Sequence, residues 1–151
     1  MQEGVFRKEF YAVEGEILSL RLIETSYGVK EGELPYYYWT IVRNSDQRDV
    51  GSISLRIGHN FHSYYNGNIG YEIDEPCRGH HYALTACRMV VDLARKHGMD
   101  RLYLTCNFDN HASYKTIESL GGELLEEVMP PKEYIFYYDG MKKHKIYLLK
   151  L

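Results

Sequence analysis

Apolar and polar side chains alternate along residues 17–25, Ile-Leu-Ser-Leu-Arg-Leu-Ile-Glu-Thr, which is the pattern of a half-buried strand. The same period returns at residues 37–43 and 50–57, and the polar run Asn44-Ser-Asp-Gln-Arg-Asp49 between them predicts a turn closing an antiparallel hairpin. Residues 28–35 read as a loop, and residues 58–67 as a polar, aromatic loop of mobile character. A fourth strand covers residues 69–74. From Gly79 the period lengthens to that of a helix, with Ala83, Ala86, Cys87, Val90, Leu93 and Ala94 on one buried face and Gly98 as its stop. Asp92, spaced one turn from both Arg88 and Lys96, supplies ion pairs on the wet face. Residues 101–106 form a fifth strand, and Asn110 caps a shorter helix that runs to Leu120 and ends at Gly121-Gly122. A sixth strand at residues 123–128 is broken by Pro130-Pro131, and residues 145–151 alternate as a terminal strand.

A strand-helix-strand crossover is right-handed and joins parallel neighbours, so the fourth and fifth strands are expected side by side and parallel. The fold class is therefore α/β of the α+β type: a single mixed, mostly antiparallel twisted sheet of about seven strands with flanking helices. At 151 residues the chain has the usual size of one domain, taken as residues 1–151. A composition of 44% hydrophobic and 26% charged residues with formal net charge −3 excludes a basic nucleic-acid binder and a disordered acidic tail. No apolar run has the length of a membrane span and the N-terminus lacks the apolar core of a signal peptide, so a cytoplasmic location away from membranes is expected. Cys77, Cys87 and Cys106 are too few and too irregularly spaced for a disulfide framework. Tyrosine is the one unusual component, with 15 copies clustered at residues 36–38, 64–65 and 134–138. These read first as strand residues with a polar tip at the water, and second as an aromatic lining for a substrate pocket.

The chemistry concentrates where the fourth strand passes through Glu75-Pro-Cys-Arg-Gly79 into the long helix. The first N–H groups of a helix have no intrahelical partner and lie at the positive end of its dipole, so this junction offers a diphosphate several donors at once. Gly79 allows close backbone approach. Neither Gly-x-Gly-x-x-Gly nor Gly-x-x-x-x-Gly-Lys-Ser/Thr occurs, so a dinucleotide fold and a P-loop are not indicated. Cys77, His80 and His81 have the right atoms for a metal, but their cramped spacing at a helix start argues against a site, and no metal is expected.

Strands in a hairpin followed by strand, loop, helix, strand, helix, strand, with Arg78-Gly-His-His-Tyr-Ala83 opening the long helix and Asn110-His-Ala-Ser113 opening the second, resemble the GNAT superfamily of acetyl-CoA-dependent N-acetyltransferases. The resemblance is best from Val50 to Gly122. The family motif Arg/Gln-x-x-Gly-x-Gly/Ala is met by Arg78 and Ala83, while His81 stands where a glycine normally lets the backbone approach the diphosphate. The resemblance implies that Arg78, Gly79, His80, His81, Tyr82, Ala83 and Leu84 hold the diphosphate. It also implies that Tyr71, Glu72 and Ile73 pair with the pantetheine arm as though it were another strand, with the Ile73 N–H donating to the thioester oxygen. The resemblance further implies that Asn110 contacts the pantetheine or neighbouring backbone and that Ser113, where many members carry Ser or Ala, belongs to the cofactor site; Asn110 also suits an N-cap.

An alkylammonium with a pKa near 10 must lose a proton before it attacks, so a base is required, and Glu72 is the candidate. Many relatives carry a glutamate on the fifth strand, where this chain has Thr105. The family's proton donor to the departing thiolate is a tyrosine at the position of Ile117, and Tyr114, one turn earlier, is the candidate substitute. The segment between the first two strands, residues 26–36, is too short for the family's usual helix pair. The acceptor site is therefore expected to be open and aromatic, bounded by that segment and by residues 58–67 and 130–140, with Tyr64 and Tyr65 contributing. The implied function is transfer of an acetyl group from acetyl-CoA to a primary amine of a small molecule or peptide in a ternary complex. The alternative is a noncatalytic CoA-binding sensor or interaction module. The terminal strand offers an edge that leaves a homodimer open.

Overall fold

The computed structural model describes residues 4–151. Five strands, β1 (Ala12–Val13), β2 (Leu18–Ser26), β3 (Tyr36–Arg43), β4 (Arg48–Arg56) and β5 (Ile69–Ile73), pair in that order, each antiparallel to the next. A second sheet holds β6 (Arg101–Asn107), β7 (Glu123–Val128) and β8 (His144–Lys150) in the order β6-β8-β7, again antiparallel. Helices α1 (Phe61–Asn66), α2 (Tyr82–Lys96) and α3 (His111–Ser119) fall between strands, and short 3-10 turns occupy Lys8–Phe10 and Glu75–Cys77. Among the described residues no helix is long and apolar enough to cross a membrane.

This corrects the single mixed sheet and its parallel pair. The strands expected to lie parallel, β5 and β6, belong to different sheets and meet at one backbone bond, Asn68 N–H to Tyr103 O at 2.6 Å. The Asn68 side chain completes that junction. Its Oδ1 accepts from Tyr103 N–H at 2.9 Å, and its Nδ2 donates to Arg56 O at 3.1 Å and Gly58 O at 2.9 Å. Gly67, at φ +81, lets the chain reach β6, since a Cβ there would stand 3.2 Å from Thr105 N. Beyond Asn68, β5 pairs only with β4, and the side of it that faces β6 is left without a ladder.

The alternation along β3 and β4 sorts their two faces. Tyr37, Trp39 and Ile41 of β3 and Val50, Ile53 and Leu55 of β4 are fully buried, packed with Ala86, Cys87, Val90, Leu93 and Ala94 of α2 in one core that extends to Leu102, Leu104, Tyr147 and Leu149 of the second sheet. The opposite face carries Tyr36, Tyr38, Ser52, Ser54 and Arg56. Tyrosine thus divides between the two readings. Tyr37 is a core residue stacked on Trp39 at 5.1 Å, whereas Tyr36 and Tyr38 point away from the core.

Three further expectations change. Residues 58–67 are not a mobile loop throughout, because α1 forms there on a capping box. Asn60 Oδ1 accepts from Ser63 N–H at 2.8 Å and Ser63 Oγ from Asn60 N–H at 2.9 Å. The terminal strand offers no edge, since β8 lies between β6 and β7, and of these two edge strands β7 is exposed along most of its length. Of the ion pairs expected around Asp92, the one to Lys96 forms at 3.1 Å.

Candidate active site

Two clefts meet at β5. The first, of about 800 Å³, lies between the end of β5, the start of α2 and α3. Its lining includes Tyr71, Ile73, Arg78, Gly79, His81, Tyr82, Ala83, Leu84, Asn110 and Ser113, so the residues named for the cofactor converge there with one exception. His80 is the exception, and its ring stacks on Tyr82 at 5.3 Å.

Register decides which backbone groups of β5 face this cleft. Arg56 N–H bonds to Asn68 O at 2.7 Å and Asp74 N–H to Val50 O at 2.8 Å. Hydrogen-bonded pairs alternate along an antiparallel ladder, so Gly70 and Glu72 also spend their backbone groups on β4, while the N–H groups of Tyr71 and Ile73 point away from it. Tyr71 and Ile73 therefore present an unladdered strand edge to the cleft, and Glu72 does not contribute its backbone. The Ile73 carbonyl accepts from Arg78 Nε at 2.9 Å, which ties the turn before α2 to the end of β5.

At the start of α2, His81 has φ +59 and ψ +26, the left-handed conformation that the family's glycine would adopt freely. Histidine enters this region more readily than most residues, so the backbone course is kept without the glycine. Gly79 is also left-handed, at φ +90, with open space around the position of a Cβ. No side chain caps α2, and Thr85 N–H is the donor that meets the His81 carbonyl, at 3.1 Å. The N–H groups at Tyr82, Ala83 and Leu84 consequently face the cleft without an intrahelical acceptor.

Asn110 caps α3 by accepting from Ser113 N–H at 3.2 Å, and it lines the cleft as well. The Tyr71 hydroxyl meets Ser113 Oγ at 2.9 Å, linking β5 to α3. Burial raises the pKa of Tyr71, against a smaller opposing effect of the Ser113 hydrogen bond, so its phenol stays protonated. Tyr114 is not among the lining residues. Its hydroxyl bonds to His111 Nδ1, and Lys145 Nζ sits 4.0 Å from its ring centre. Ile117 is buried in the core. Among the described residues no cluster of His, Cys, Asp and Glu is placed to hold a metal.

The second cleft, of about 480 Å³, lies on the outer face of the first sheet. Glu24, Tyr36, Tyr38, Ser52, Ser54, Arg56 and Gly70 form its floor, and its walls are Gly32, Glu33 and Leu34, the α1 residues His62, Ser63 and Asn66 with Asn60, and Ile135 with Phe136. Asn60 Nδ2 donates to Gly32 O at 2.6 Å, and Ile135 N–H donates to His62 Nδ1 at 3.2 Å, so α1 holds both loops. Tyr64 and Tyr65, expected here, are not lining residues. Tyr64 donates to Glu126 of β7, and the Tyr65 ring lies 5.8 Å from that of Tyr134. Tyr38 belongs to the aromatic cluster read as a pocket lining, whereas Arg56, Ser54 and Glu24 were not anticipated. The signal for them was present in the alternation of β2, β3 and β4, whose outward positions form one continuous surface.

Tyr71 and Glu72 line both clefts. The strand that separates the two cavities thus supplies an exposed carboxylate at their common rim.

A family model described as an acetyltransferase (GNAT) domain matches residues 16–123. No curated protein matches the sequence. Among solved structures, the chain is similar to an acetyltransferase of the GNAT family from Bacillus anthracis, at 17% identity and a TM-score of 0.61; the match covers 75% of this chain and 65% of that one, so this chain spans less than two-thirds of that protein. The ribosomal-protein-S5-alanine acetyltransferase from Vibrio fischeri is 15% identical with a TM-score of 0.66 over 92% of this chain and 96% of its own. The ribosomal L7/L12 α-N-protein acetyltransferase RimL, solved in complex with coenzyme A, is 15% identical with a TM-score of 0.67 over 93% and 98%. At such identities these likenesses show the fold.

Proposed function

We propose that this chain, which belongs to the GNAT acetyltransferase family, moves an acetyl group from acetyl-CoA to a primary amine by direct attack in a ternary complex. The observation that carries the reading is Glu72, whose side chain stands at the rim common to the two clefts on the one strand that separates them. A cosubstrate on one side of β5 and an acceptor on the other would bring their reacting atoms together at that rim.

Acetyl-CoA supplies an activated thioester. The residues of this chain bind and orient. The free N–H groups at the start of α2 suit the diphosphate, and the Tyr71 and Ile73 N–H groups suit an extended pantetheine arm added as a strand. The Ile73 N–H donates to the thioester oxygen, where negative charge grows as the amine attacks. Glu72 accepts the ammonium proton, directly or through water. Of the two tyrosines, Tyr71 presents a protonated hydroxyl on the cofactor cleft and takes the role of proton donor to the thiolate in place of Tyr114. The acceptor occupies the cleft floored by Tyr36, Tyr38, Ser54 and Arg56.

One observation favours a noncatalytic CoA-binding module, namely that neither Tyr114 nor Ile117 offers the cleft a hydroxyl. Titration calorimetry with acetyl-CoA, desulfo-CoA and ATP separates the readings when followed by thiol release with a panel of amines. Micromolar acetyl-CoA binding with amine-dependent thiol release, lost in Glu72→Gln, is expected of the enzyme. Binding without turnover for any amine would favour the module, and no binding would remove both.

A further inference from the structure

Among the described residues Arg56 is the one cation on the floor of the acceptor cleft, and it is largely buried. Among the described residues no carboxylate lies within 4.0 Å of its guanidinium. Its partners are neutral. Nη1 donates to Gly67 O at 3.2 Å, and with the Asn66 amide oriented to satisfy its neighbours, Nε and Nη2 both donate to Asn66 Oδ1 at 3.2 Å while Asn66 Nδ2 donates to the Tyr134 hydroxyl at 3.3 Å. A guanidinium has five N–H donors, so one on each terminal nitrogen is left over. The two leftover donors belong to a planar fork, the geometry that matches a carboxylate or phosphate.

Between Arg56 and Glu72 the floor carries a glycine. Gly70 lies on the same face as Glu72 and two residues before it, and a Cβ at Gly70 would stand 3.2 Å from Ser54 Oγ and 3.9 Å from Arg56 Nη1. The absent side chain leaves no bulky group between the cation, which lies beside Gly70, and Glu72, two residues and roughly 7 Å of strand rise further along. The other two carboxylates of the cleft are already engaged. Glu33 Oε2 accepts from Val29 N–H at 2.5 Å, and Glu24 Oε1 accepts from the Tyr36 hydroxyl at 3.4 Å.

Building on the acetyl transfer proposed above, we infer that Arg56 anchors an anionic group of the acceptor, and that the acceptor is a small amine carrying a carboxylate or phosphate about five bonds of extended chain from its nitrogen. The amine then lies at Glu72 and the anion at Arg56, with Gly70 beneath the connecting chain. Burial without a carboxylate lowers the pKa of Arg56, the cost that an anionic ligand would offset.

The test is acetyl-CoA-dependent thiol release with matched acceptors: 4-aminobutyrate, 6-aminohexanoate and 3-aminopropyl phosphate against the neutral 6-aminohexanamide and hexylamine. The wild type should favour the anionic amines in kcat/KM by roughly 10- to 100-fold, chiefly through KM. Arg56→Gln should bring the anionic-to-neutral ratio towards one, and Arg56→Lys should keep part of it. The carboxylate and phosphate arms tell the two anions apart. Equal turnover of charged and neutral amines by the wild type, or an unchanged ratio in Arg56→Gln, would overturn the anchor while leaving acetyl transfer standing. That result would leave Arg56 as support for the end of α1. If acetyl-CoA binds and no amine reacts, acetyl transfer falls instead, and calorimetry of 6-aminohexanoate with wild type and Arg56→Gln decides the anchor: binding lost in the variant sustains it, and binding unchanged or absent in the wild type refutes it.

Discussion

Glu72 is held by a ladder and aimed by parity. Its backbone pairs with Ser52 while its side chain reaches the shared rim, so replacing the carboxylate with an isosteric amide removes a proton acceptor and little else. Glu72→Gln should lower kcat by about 10²- to 10⁴-fold, the usual contribution of a positioned base, with acetyl-CoA affinity unchanged by calorimetry. His81 permits a sharper test of backbone geometry. At φ +59 a β-branched residue is strained where glycine is not. His81→Val should therefore cost about 1–2 kcal/mol in denaturant unfolding and weaken acetyl-CoA binding, whereas His81→Gly should keep both close to wild type. Both positions were legible in the sequence because each sits in a local pattern, a strand parity or a helix-opening run. Arg56 was not, since its meaning depends on Gly70 and Glu72 on a neighbouring strand and on Asn66 from a helix that a run of Phe, His, Ser and Tyr gave little reason to expect.

Between elements, the decisive contact is the junction of Asn68, just ahead of β5, with Tyr103 of β6. Asn68 is fully buried, and its amide serves Arg56 O, Gly58 O and Tyr103 N–H together, which fixes where the two sheets touch and where they separate. Asn68→Ala would leave those three backbone groups without their partner in the interior, and should cost about 3 kcal/mol in denaturant unfolding. It should also weaken acetyl-CoA binding, since the cleft opens where the ladder stops. This is also why the crossover rule led to a parallel pair. The rule orders strands by connection, and an asparagine side chain that takes up the backbone groups at the junction is not visible in hydrophobic periodicity. The seven longer strands and the two longer helices were legible, most of them from a burial that sets their period and β7 from its bounding glycines and prolines. β1, at Ala12–Val13, has two residues and no period to detect, and α1 rests on the Asn60–Ser63 capping box more than on an apolar stripe.

Across the whole molecule, the N-terminal segment is tied to the core through a titratable clasp. Arg7 N–H donates to the Tyr37 oxygen at 2.8 Å, and the Tyr37 hydroxyl lies 2.8 Å from His97 Nε2 at the end of α2. Burial raises the pKa of Tyr37, with the Arg7 backbone N–H opposing, so the phenol keeps its proton and donates it to a neutral His97. His97 is lowered from its ordinary value, first by burial and then by the Arg7 charge, with Glu9 acting the other way. His59, packed against Tyr103 at 5.6 Å, is lowered by burial and by Arg101. A histidine whose folded pKa lies below its unfolded value binds fewer protons when folded, so its contribution to stability is complete above the unfolded value near 6.5 and is lost as pH falls through the folded one. Arg43 holds the Asp46 carboxyl down at about 2, and Lys142 lowers Asp109, so those two groups remain ionised across this window. Thermal unfolding between pH 7.5 and 5 should therefore show Tm falling with acidification. His97→Gln, which can still accept from Tyr37 but does not titrate, should reduce that slope, and adding His59→Gln should flatten it further. A slope equal to that of the wild type in the double variant would place the acid sensitivity on other groups and leave the clasp as packing alone.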